Sequence, residues 1–344
     1  MRLLRPRIAH YAWGTATDLP SLLGFEATDE PCAEVWVGAH PALPAWLDPG
    51  PGTLHDVAPD IPFLLKVLAV GAPLSIQTHP SDAQALAGYA RENSLGIALD
   101  APERTYRDPE GKPELVCALT EFEALCGFRS VSDIASDFEA FGLDAWAHAL
   151  QTQSIQQVVG QLLTLPKPEQ ADLVTMVAAR GPKWLDPVAK RYPSDAGVFV
   201  AVMLQHFVLA PGEALVLRPG LLHAYLGGMA AEVMGPSDNV LRGGLTPKYV
   251  DVAGLMEVLE PHAKSDRRRA GPIHRSTDGF ALTVGAAPSV TGPALVLSIA
   301  DDVFVGDEAL VRGAAAYIEP GESVRIAGAA LTASRCLGVF GAAG

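Results

Sequence analysis

Cysteine is scarce in this sequence, and its spacing excludes one common way of holding a chain together. The 344 residues contain four cysteines, Cys32, Cys117, Cys126 and Cys336, and no two of them form a CxxC pair. A disulfide framework is typical of much shorter secreted chains. We therefore predict buried thiols in a reducing compartment, and the cytoplasm as the location.

Long apolar runs and an excess of positive charge are also missing. No uninterrupted apolar run reaches the roughly 18 residues that a membrane-spanning helix needs, and the basic N-terminal residues are not followed by the apolar core of a signal peptide. The formal net charge of −14 disfavours general binding to nucleic acid or to an anionic membrane. It is compatible with a local basic pocket. The dense basic run Lys264 to Arg269 is predicted to be a solvated linker or surface loop.

What the sequence does contain is a balance of 49% hydrophobic and 19% charged residues, which is typical of globular proteins with two or three domains. Short apolar runs between Pro and Gly turn signals predict strands at residues 33–40, 62–70 and 114–120. This pattern favours a sandwich or barrel over alternating strands and helices.

Residues 131–205 have a different character, because they lose the turn signals and take on helical spacing. Apolar residues recur from Ile155 to Leu163 at intervals of three and four, and Ser154 precedes them as a plausible N-cap. A second helix is predicted at residues 172–180. We interpret this segment as an inserted helical subdomain.

Strand character returns at residues 208–226 and continues in a final all-β segment from about residue 270 to 344. Both parts contain a PGE turn beside a short apolar run, at Pro211 and at Pro320. This weak similarity suggests two related β-barrels but is too short to establish a repeat.

Gln77 and His79 are unusual in the stretch LSIQTHPSD, which otherwise reads as a buried strand. Residues two apart in a strand point to the same face. A buried amide and imidazole without partners would each cost several kcal/mol, on the order of a lost hydrogen bond or more. The pair therefore requires either a polar network or a metal ion.

Two further segments contain side chains that could complete a metal site. Lys112 and Glu114 enter the next predicted strand two residues apart, and His223 follows the turn at Pro219 and Gly220. Alone, the Lys–Glu pair would more often be a surface ion pair. Together with Gln77 and His79, however, Glu114 and His223 would supply donors that suit a divalent ion such as zinc with an open position.

The segment from Glu232 to Asp251 is polar for its position and includes Asp238, Arg242 and Lys248 among Gly and Pro. It could be an ordinary surface loop. It could also be an anion clamp, because the guanidinium of Arg presents a planar fork of donors that matches phosphate.

These stretches, taken together, resemble type I mannose-6-phosphate isomerases, also called phosphomannose isomerases. The similarity covers roughly residues 9 to 260 and is looser in the helical segment. It rests on the runs YAWG, AEVWVGAHP, PFLLKVLAVGAPLSIQTHPSD, GKPELVCALTEFEALCGFR and PGEALVLRPGLLHAYLGGMAAEVMGPSDNVLRGGLTPKYVD.

The resemblance implies one zinc ion per chain, a site for a sugar phosphate, and isomerisation of mannose 6-phosphate to fructose 6-phosphate through a cis-enediol. It implies zinc ligands at Gln77, His79, Glu114 and His223. We expect Arg242, Lys112, Glu232 and Lys248 to be catalytic. The expected substrate contacts are Lys66, Ser75, Tyr225, Asp238 and Trp13.

The resemblance also implies a mainly β fold with an α insertion, namely two cupin-type (jelly-roll) barrels plus an inserted helical subdomain. The expected domains are a catalytic cupin from residues 1–130 and 206–262, a helical insert at 131–205, and a cupin-like domain at 263–344. We expect a monomer.

One departure from the family and two alternatives stay open at this point. The family usually has Asn-His before KPE, where this chain has Glu110 and Gly111, and that His has been proposed to act in catalysis. A non-catalytic sugar-phosphate binder is therefore an alternative. Another metal cupin, such as an Fe(II) dioxygenase, is disfavoured by Gln77 and the cationic loop. A fused guanylyltransferase is disfavoured because the chain has no Gly-rich nucleotide loop.

Overall fold

Antiparallel strands form most of the framework in this computed structural model, which describes residues 1–276 and 279–335. The strands are β1 Arg2–Arg5, β2 Arg7–Ala9, β3 Glu34–Val37, β4 Trp46–Leu47, β5 Leu64–Val70, β6 Gln77–Thr78, β7 Glu114–Ala118, β8 Phe122–Phe128, β9 Leu204–Leu209, β10 Ala214–Leu217, β11 His223–Met234, β12 Leu241–Arg242, β13 Asp266–Arg268, β14 Ile273–Arg275, β15 Phe280–Val284, β16 Ala287–Thr291, β17 Ala294–Ser298, β18 Val303–Val305, β19 Glu308–Leu310, β20 Ala315–Ile318, β21 Ser323–Ala327 and β22 Ala330–Arg335.

Helices are concentrated between β8 and β9, and elsewhere there are the 13-residue α3 and three short helices among the described residues. They are α1 Asp18–Leu23, α2 Leu54–Val57, α3 Asp82–Ser94, α4 Val131–Ala140, α5 Asp144–Thr152, α6 Ile155–Thr164, α7 Lys167–Arg180, α8 Asp186–Arg191, α9 Gly197–Met203 and α10 Val252–Val258, with a 3₁₀ turn at Lys183–Leu185. The prediction of a mainly β chain with helices is confirmed.

The helical segment forms because its apolar residues share one face and its helix ends are capped. In α6, Ile155, Val158, Val159 and Leu162 are buried, as their spacing predicts. The Ser154 hydroxyl accepts a hydrogen bond from the backbone N–H three residues on, which completes a capping box. These residues pack in one hydrophobic cluster with α9, whose residues are all buried.

The sheet that contains the predicted site, called the site sheet below, has a main path in the order β13-β10-β7-β11-β5-β3-β2. The long strand β11 lies at its centre, because its residues pair with β5 and β7 along one part and with β6 and β8 along another. Among the described strands, none of these sheet paths closes into a ring.

The C-terminal part forms a seven-stranded sheet in the order β14-β15-β22-β17-β20-β1-β4 and a four-stranded sheet in the order β16-β21-β18-β19. Strands β1 and β4, from the start of the chain, thus pair within the C-terminal sheet, through β20. Conversely, β13 pairs with β10 of the site sheet. The domain boundaries stated above stay a prediction, and these exchanged strands join the two β regions across them.

Two expectations about local structure were wrong. The stretch from residue 74 to 82 is a strand only at Gln77–Thr78, since Pro73 and Pro80 on either side lack the N–H that a strand donates. The basic run at 264–269 is not a loop, because its residues 266–268 form the edge strand β13.

The thiols agree with the prediction where the structure describes them. Cys32, Cys117 and Cys126 are free and buried, and burial raises the pKa of each thiol. Cys336 lies outside the described residues. No helix in the described ranges is long and apolar enough to cross a membrane.

Candidate metal centre and cavity

Three side chains from separate segments meet in the interior of the site sheet. His79 directly follows β6, Glu114 begins β7, and His223 begins β11. The Nε2 atom of His79 lies 3.3 Å from Oε1 of Glu114, and Nε2 of His223 lies 3.3 Å from Oε2 of the same carboxylate. All three side chains are buried. They are brought together because β6 pairs with β11 at His223, and Glu114 pairs with Leu217 of β10, shortly before His223 in the chain.

Backbone carbonyls determine which nitrogen of each imidazole faces the carboxylate. Nδ1 of His79 is 2.7 Å from the carbonyl oxygen of Asn239, and Nδ1 of His223 is 3.0 Å from that of Leu221. A carbonyl only accepts, so each Nδ1 carries the proton when the ring is neutral. Each Nε2 then directs a lone pair toward Glu114.

Across the residues that the structure describes, these lone pairs have no hydrogen-bond partner. Nε2 of His79, Nε2 of His223 and Oε2 of Glu114 are buried without one. Unpaired buried acceptors are costly, and three that converge within 4.8 Å repel one another unless a cation lies between them. Two imidazole nitrogens and a carboxylate oxygen are donors that zinc accepts, so the residues fit the metal.

The charge state of the cluster suits a cation. Burial lowers the pKa of His79 to about 4, so this ring is neutral near pH 7. Burial also opposes charge on Glu114, but the polar surroundings, which include the Lys112 ammonium, outweigh it and hold its pKa well below the usual range. The carboxylate is therefore ionised.

A cavity of about 370 Å³ opens beside this cluster. Gln77, predicted as the fourth ligand, lies in the cavity wall. It pairs with His223 of the cluster and with Arg242 of the wall, and so connects the candidate metal centre to the cavity. The predicted residues that line the cavity are Trp13, Lys66, Ser75, Gln77, Lys112, Glu114, His223, Tyr225, Glu232, Arg242 and Lys248. His79 lies behind this wall, in contact with Glu114.

A buried carboxyl with an unusual pKa faces the cavity. Burial and the nearby charge of Glu114 raise the pKa of Glu232 to about 7, against the opposing effect of Lys66 and Lys112. The hydroxyl of Tyr225 donates to Oε1 of Glu232 over 2.7 Å. Lys66 lies directly across the strand pair from Glu232.

The two buried lysines differ in their partners. Nζ of Lys112 is 3.1 Å from Oε1 of Glu114, beside the candidate metal centre. Nζ of Lys66 is 3.4 Å from Glu34 and 4.1 Å from the centroid of the Trp36 ring. Burial would lower the pKa of Lys66, but the surrounding carboxylates raise it above its usual value.

Two further cations, Arg242 and Lys248, line the cavity. Burial lowers the pKa of both Arg242 and Lys248, and the charge of Arg107 lowers both further. Arg242 also lowers the pKa of Lys248. Such mutual repulsion means that positive charge accumulates here, as the anion-clamp interpretation requires.

One predicted substrate contact is not in the cavity wall. Asp238 is exposed, and its Oδ1 lies 3.5 Å from Nε2 of the buried His40. Its neighbour Asn239 has a supporting role, because its side chain bonds the backbone of residues 107, 108 and 110 while its carbonyl orients His79.

At Gly111, where the family usually has His, the chain passes close to another element. The Gly111 N–H donates to Oδ1 of Asp82 over 2.9 Å. A Cβ at this position would lie 2.6 Å from that oxygen and 2.8 Å from the Asp82 backbone nitrogen. With the loop on this path there is no room for an imidazole.

Sequence reasoning missed several residues of the wall, including Tyr11, Glu34, Arg191, Tyr192 and Thr246. Glu34 belongs to the run AEVWVGAHP. It lies two residues from Trp36 in a strand, and this spacing could have indicated that the two side chains share a face. Arg191 and Tyr192 belong to the helical segment, and no local pattern connects them to a site.

In a mainly β chain, this arrangement defines the class: a protein with a single-ion His/Glu centre beside a cavity that carries an accumulation of cations. Residues 52–131 match the family model for the catalytic domain of type I phosphomannose isomerase. The mannose-6-phosphate isomerase of Escherichia coli (strain K12) is 38% identical over 296 residues, covering 77% of this chain and 76% of that protein. The Homo sapiens enzyme is 33% identical over 320 residues, covering 76% and 73%.

Solved structures agree over nearly the whole chain. A mannose 6-phosphate isomerase bound with zinc and yttrium gives a TM-score of 0.83 at 32% identity, covering 98% of this chain and 100% of the other. The apo form from Salmonella typhimurium gives 0.82 at 31%, covering 98% and 99%. The chain belongs to the type I mannose-6-phosphate isomerase family, and the predicted family is confirmed.

Proposed function

We propose that this chain is a zinc-dependent aldose–ketose isomerase that interconverts mannose 6-phosphate and fructose 6-phosphate. The observation that carries the proposal is the set of three buried, unpartnered donor atoms on His79, Glu114 and His223. They lie beside a cavity that carries Arg242 and Lys248. A metal centre for sugar oxygens and cations for a phosphate are what this reaction needs.

In this proposal His79, Glu114, His223 and Gln77 hold the zinc ion. When bound, zinc supplies Lewis acidity toward the substrate oxygens and a template for them. The Asn239 and Leu221 carbonyls keep both imidazoles in the tautomer that presents Nε2.

Glu232 transfers the proton between C2 and C1 of the open-chain sugar. A carboxyl with a pKa of about 7 is both base and acid near neutral pH, which a reversible proton transfer requires. We favour Glu232 over Lys112 for this step because the Lys112 ammonium is held in an ion pair with Glu114. Lys112 then donates to the oxygen that becomes negative in the enediolate.

The remaining predicted residues bind and orient the substrate. Lys66 balances the charge of Glu232 beneath the sugar, and Arg242 and Lys248 attract the phosphate. Trp13, Ser75 and Tyr225 are proposed wall contacts. Asp238 would act through His40 at the edge of the site, since its carboxylate faces that ring.

The finer description of the fold belongs to the same proposal. We propose that the site sheet and the C-terminal sheets correspond to two cupin-type barrels, with residues 131–205 inserted in the first. Their antiparallel pairing supports this assignment. The monomeric state and the cytoplasmic location stay predictions, and light scattering on the purified protein tests the first.

The first experiment measures conversion of mannose 6-phosphate to fructose 6-phosphate by the purified protein, before chelation, after chelation and after zinc is returned. We expect loss on chelation and recovery with zinc. A folded, zinc-loaded protein without turnover would contradict the proposal. Retained sugar-phosphate binding in that case would favour the non-catalytic binder instead.

A further inference from the structure

Charge is distributed unevenly around the cavity. Its acidic lining residues, Glu34, Glu114 and Glu232, all come from strands of the site sheet, and Lys66 and Lys112 lie among them. The other cations of the wall are Arg191, Arg242 and Lys248. The wall therefore contains a mixed-charge group of strand residues beside the metal centre and three further cations that line the same cavity, which we call the cationic region.

Arg191 is the cationic lining residue that comes from the helical insert, since it ends α8. The adjacent Tyr192 holds this end of the helix against the wall, because its hydroxyl donates to the carbonyl of Pro73 over 3.0 Å. The Arg191 Nε also donates to that hydroxyl oxygen over 3.3 Å. The guanidinium is thus anchored on one side, and no other hydrogen bond of its N–H groups occurs within the described part of the chain, so these groups can bind a ligand.

A second contact connects the insert to the loop that carries Lys248. The Asp195 carboxylate accepts hydrogen bonds from the backbone of Gly197 over 2.7 Å and of Thr246 over 3.0 Å. The end of α8 and the loop at residues 246–248 are therefore positioned by the same short segment. This explains how a helical residue and Lys248 come to line one cavity.

The cationic region has no acidic partner of its own. Within residues 1–276 and 279–335, no ion pair involves Arg191, Arg242 or Lys248. In a chain with a net charge of −14, three cations left without a carboxylate indicate a site for an external anion. A dianion such as a phosphate monoester matches two guanidinium forks and an ammonium.

We propose that Arg191 contacts the substrate phosphate together with Arg242 and Lys248, so that the helical insert selects phosphorylated sugars. This inference rests on the proposed function for the identity of the substrate. It assigns the insert a direct part in specificity, because α8 supplies a charged contact that the β framework does not provide.

The test replaces Arg191 with Ala and with Lys, and uses Lys190→Ala as the matched control. Lys190 is exposed, belongs to the same helix and does not line the cavity, so its loss removes an equal charge. We expect Arg191→Ala to raise KM for mannose 6-phosphate roughly tenfold with kcat within about twofold. Arg191→Lys should recover part of this, and Lys190→Ala should resemble the parent chain.

Inorganic phosphate separates the inference from the proposed function. Its binding, measured by calorimetry on the zinc-loaded protein, does not depend on turnover. We expect the Kd for phosphate to rise roughly tenfold in Arg191→Ala and little in Lys190→Ala. Unchanged phosphate binding and unchanged KM in a folded Arg191→Ala variant would overturn the role of Arg191 and leave the isomerase proposal intact. Weakened phosphate binding in a chain without turnover would support Arg191 while removing the isomerase proposal.

Discussion

At the scale of the single residue, Tyr225 adjusts the acidity of Glu232. Its hydroxyl donates to the carboxyl over 2.7 Å and thereby lowers the pKa of Glu232, which burial and Glu114 raise to about 7. A base must be deprotonated to act, so kcat/KM should fall below this pKa as the pH decreases. A dication held at Glu114 would lower the pKa of Glu232 and so move the midpoint of this decrease to lower pH.

We expect Tyr225→Phe to move the acid limb of the kcat/KM profile upward by roughly one pH unit. Loss of the donated hydrogen bond removes a stabilisation of the charged carboxylate, so its pKa rises and less of the base is present at a given pH. Tyr89→Phe, on α3 and away from the cavity, is the matched control and should leave the profile unchanged. An unshifted limb in Tyr225→Phe would remove Glu232 from the proton-transfer step.

The residues of the metal centre could be predicted because short motifs carry them. His79, Glu114 and His223 are the right residue types in recognisable runs and converge in the structure, whereas Gln77 lies in the cavity wall and its role as a fourth ligand stays a prediction. Their orientation could not be predicted, since the Asn239 carbonyl that orients His79 is 160 residues away in the chain. Arg191 escaped notice for the same reason: only tertiary packing brings α8 to the cavity.

At the scale of the element, the N-terminus of α3 packs against the loop that leads into β7. Ser81 caps the helix by accepting a hydrogen bond from the Gln84 N–H, and Asp82 accepts from Gly111. This contact lies just before Lys112 and Glu114 in the chain. It is possible because residue 111 has no side chain.

Gly111→Ala should therefore reduce stability by about 1–3 kcal/mol and also reduce kcat, because the added methyl group displaces the loop or the helix end. Denaturant unfolding and turnover measure the two effects. The matched control is Gly271→Ala, where the nearest atom to a new Cβ is 3.9 Å away, and its change should stay within about 0.5 kcal/mol. A Gly111→Ala variant as stable and active as the parent chain would show that the close contact between Gly111 and Asp82 does not require glycine.

Elements differ in how far the sequence predicts them. α6 could be predicted with its cap, because helical periodicity and N-capping are local signals. The membership of β1 in the C-terminal sheet could not, since strand pairing depends on a partner some 300 residues away. The edge strand β13 was hidden by its charges, which lie exposed beside β10 and pair with Glu213 and Asp266.

At the scale of the whole molecule, the metal centre connects three segments that are far apart in the chain. His79, Glu114 and His223 follow or begin β6, β7 and β11; β7 and β11 lie in the middle of the site sheet, and β6 pairs with β11 beside its main path. An ion bound there should resist separation of these strands. Ligand affinity for the folded state then adds directly to the stability of the fold.

We therefore expect zinc to raise the free energy of unfolding, by about 2.7 kcal/mol at a free concentration of 100 times its Kd. His79→Ala should abolish this increment, since it removes a buried donor atom, whatever its effect on the metal-free protein. His148→Asn changes an exposed imidazole on α5 and should keep the full increment. The measurement is thermal or denaturant unfolding of each variant with chelator and with buffered zinc. If zinc raised the free energy of unfolding of His79→Ala as much as that of the parent chain, the ion would have to bind elsewhere. The converging donor atoms of His79, Glu114 and His223 would then not be the atoms that hold it.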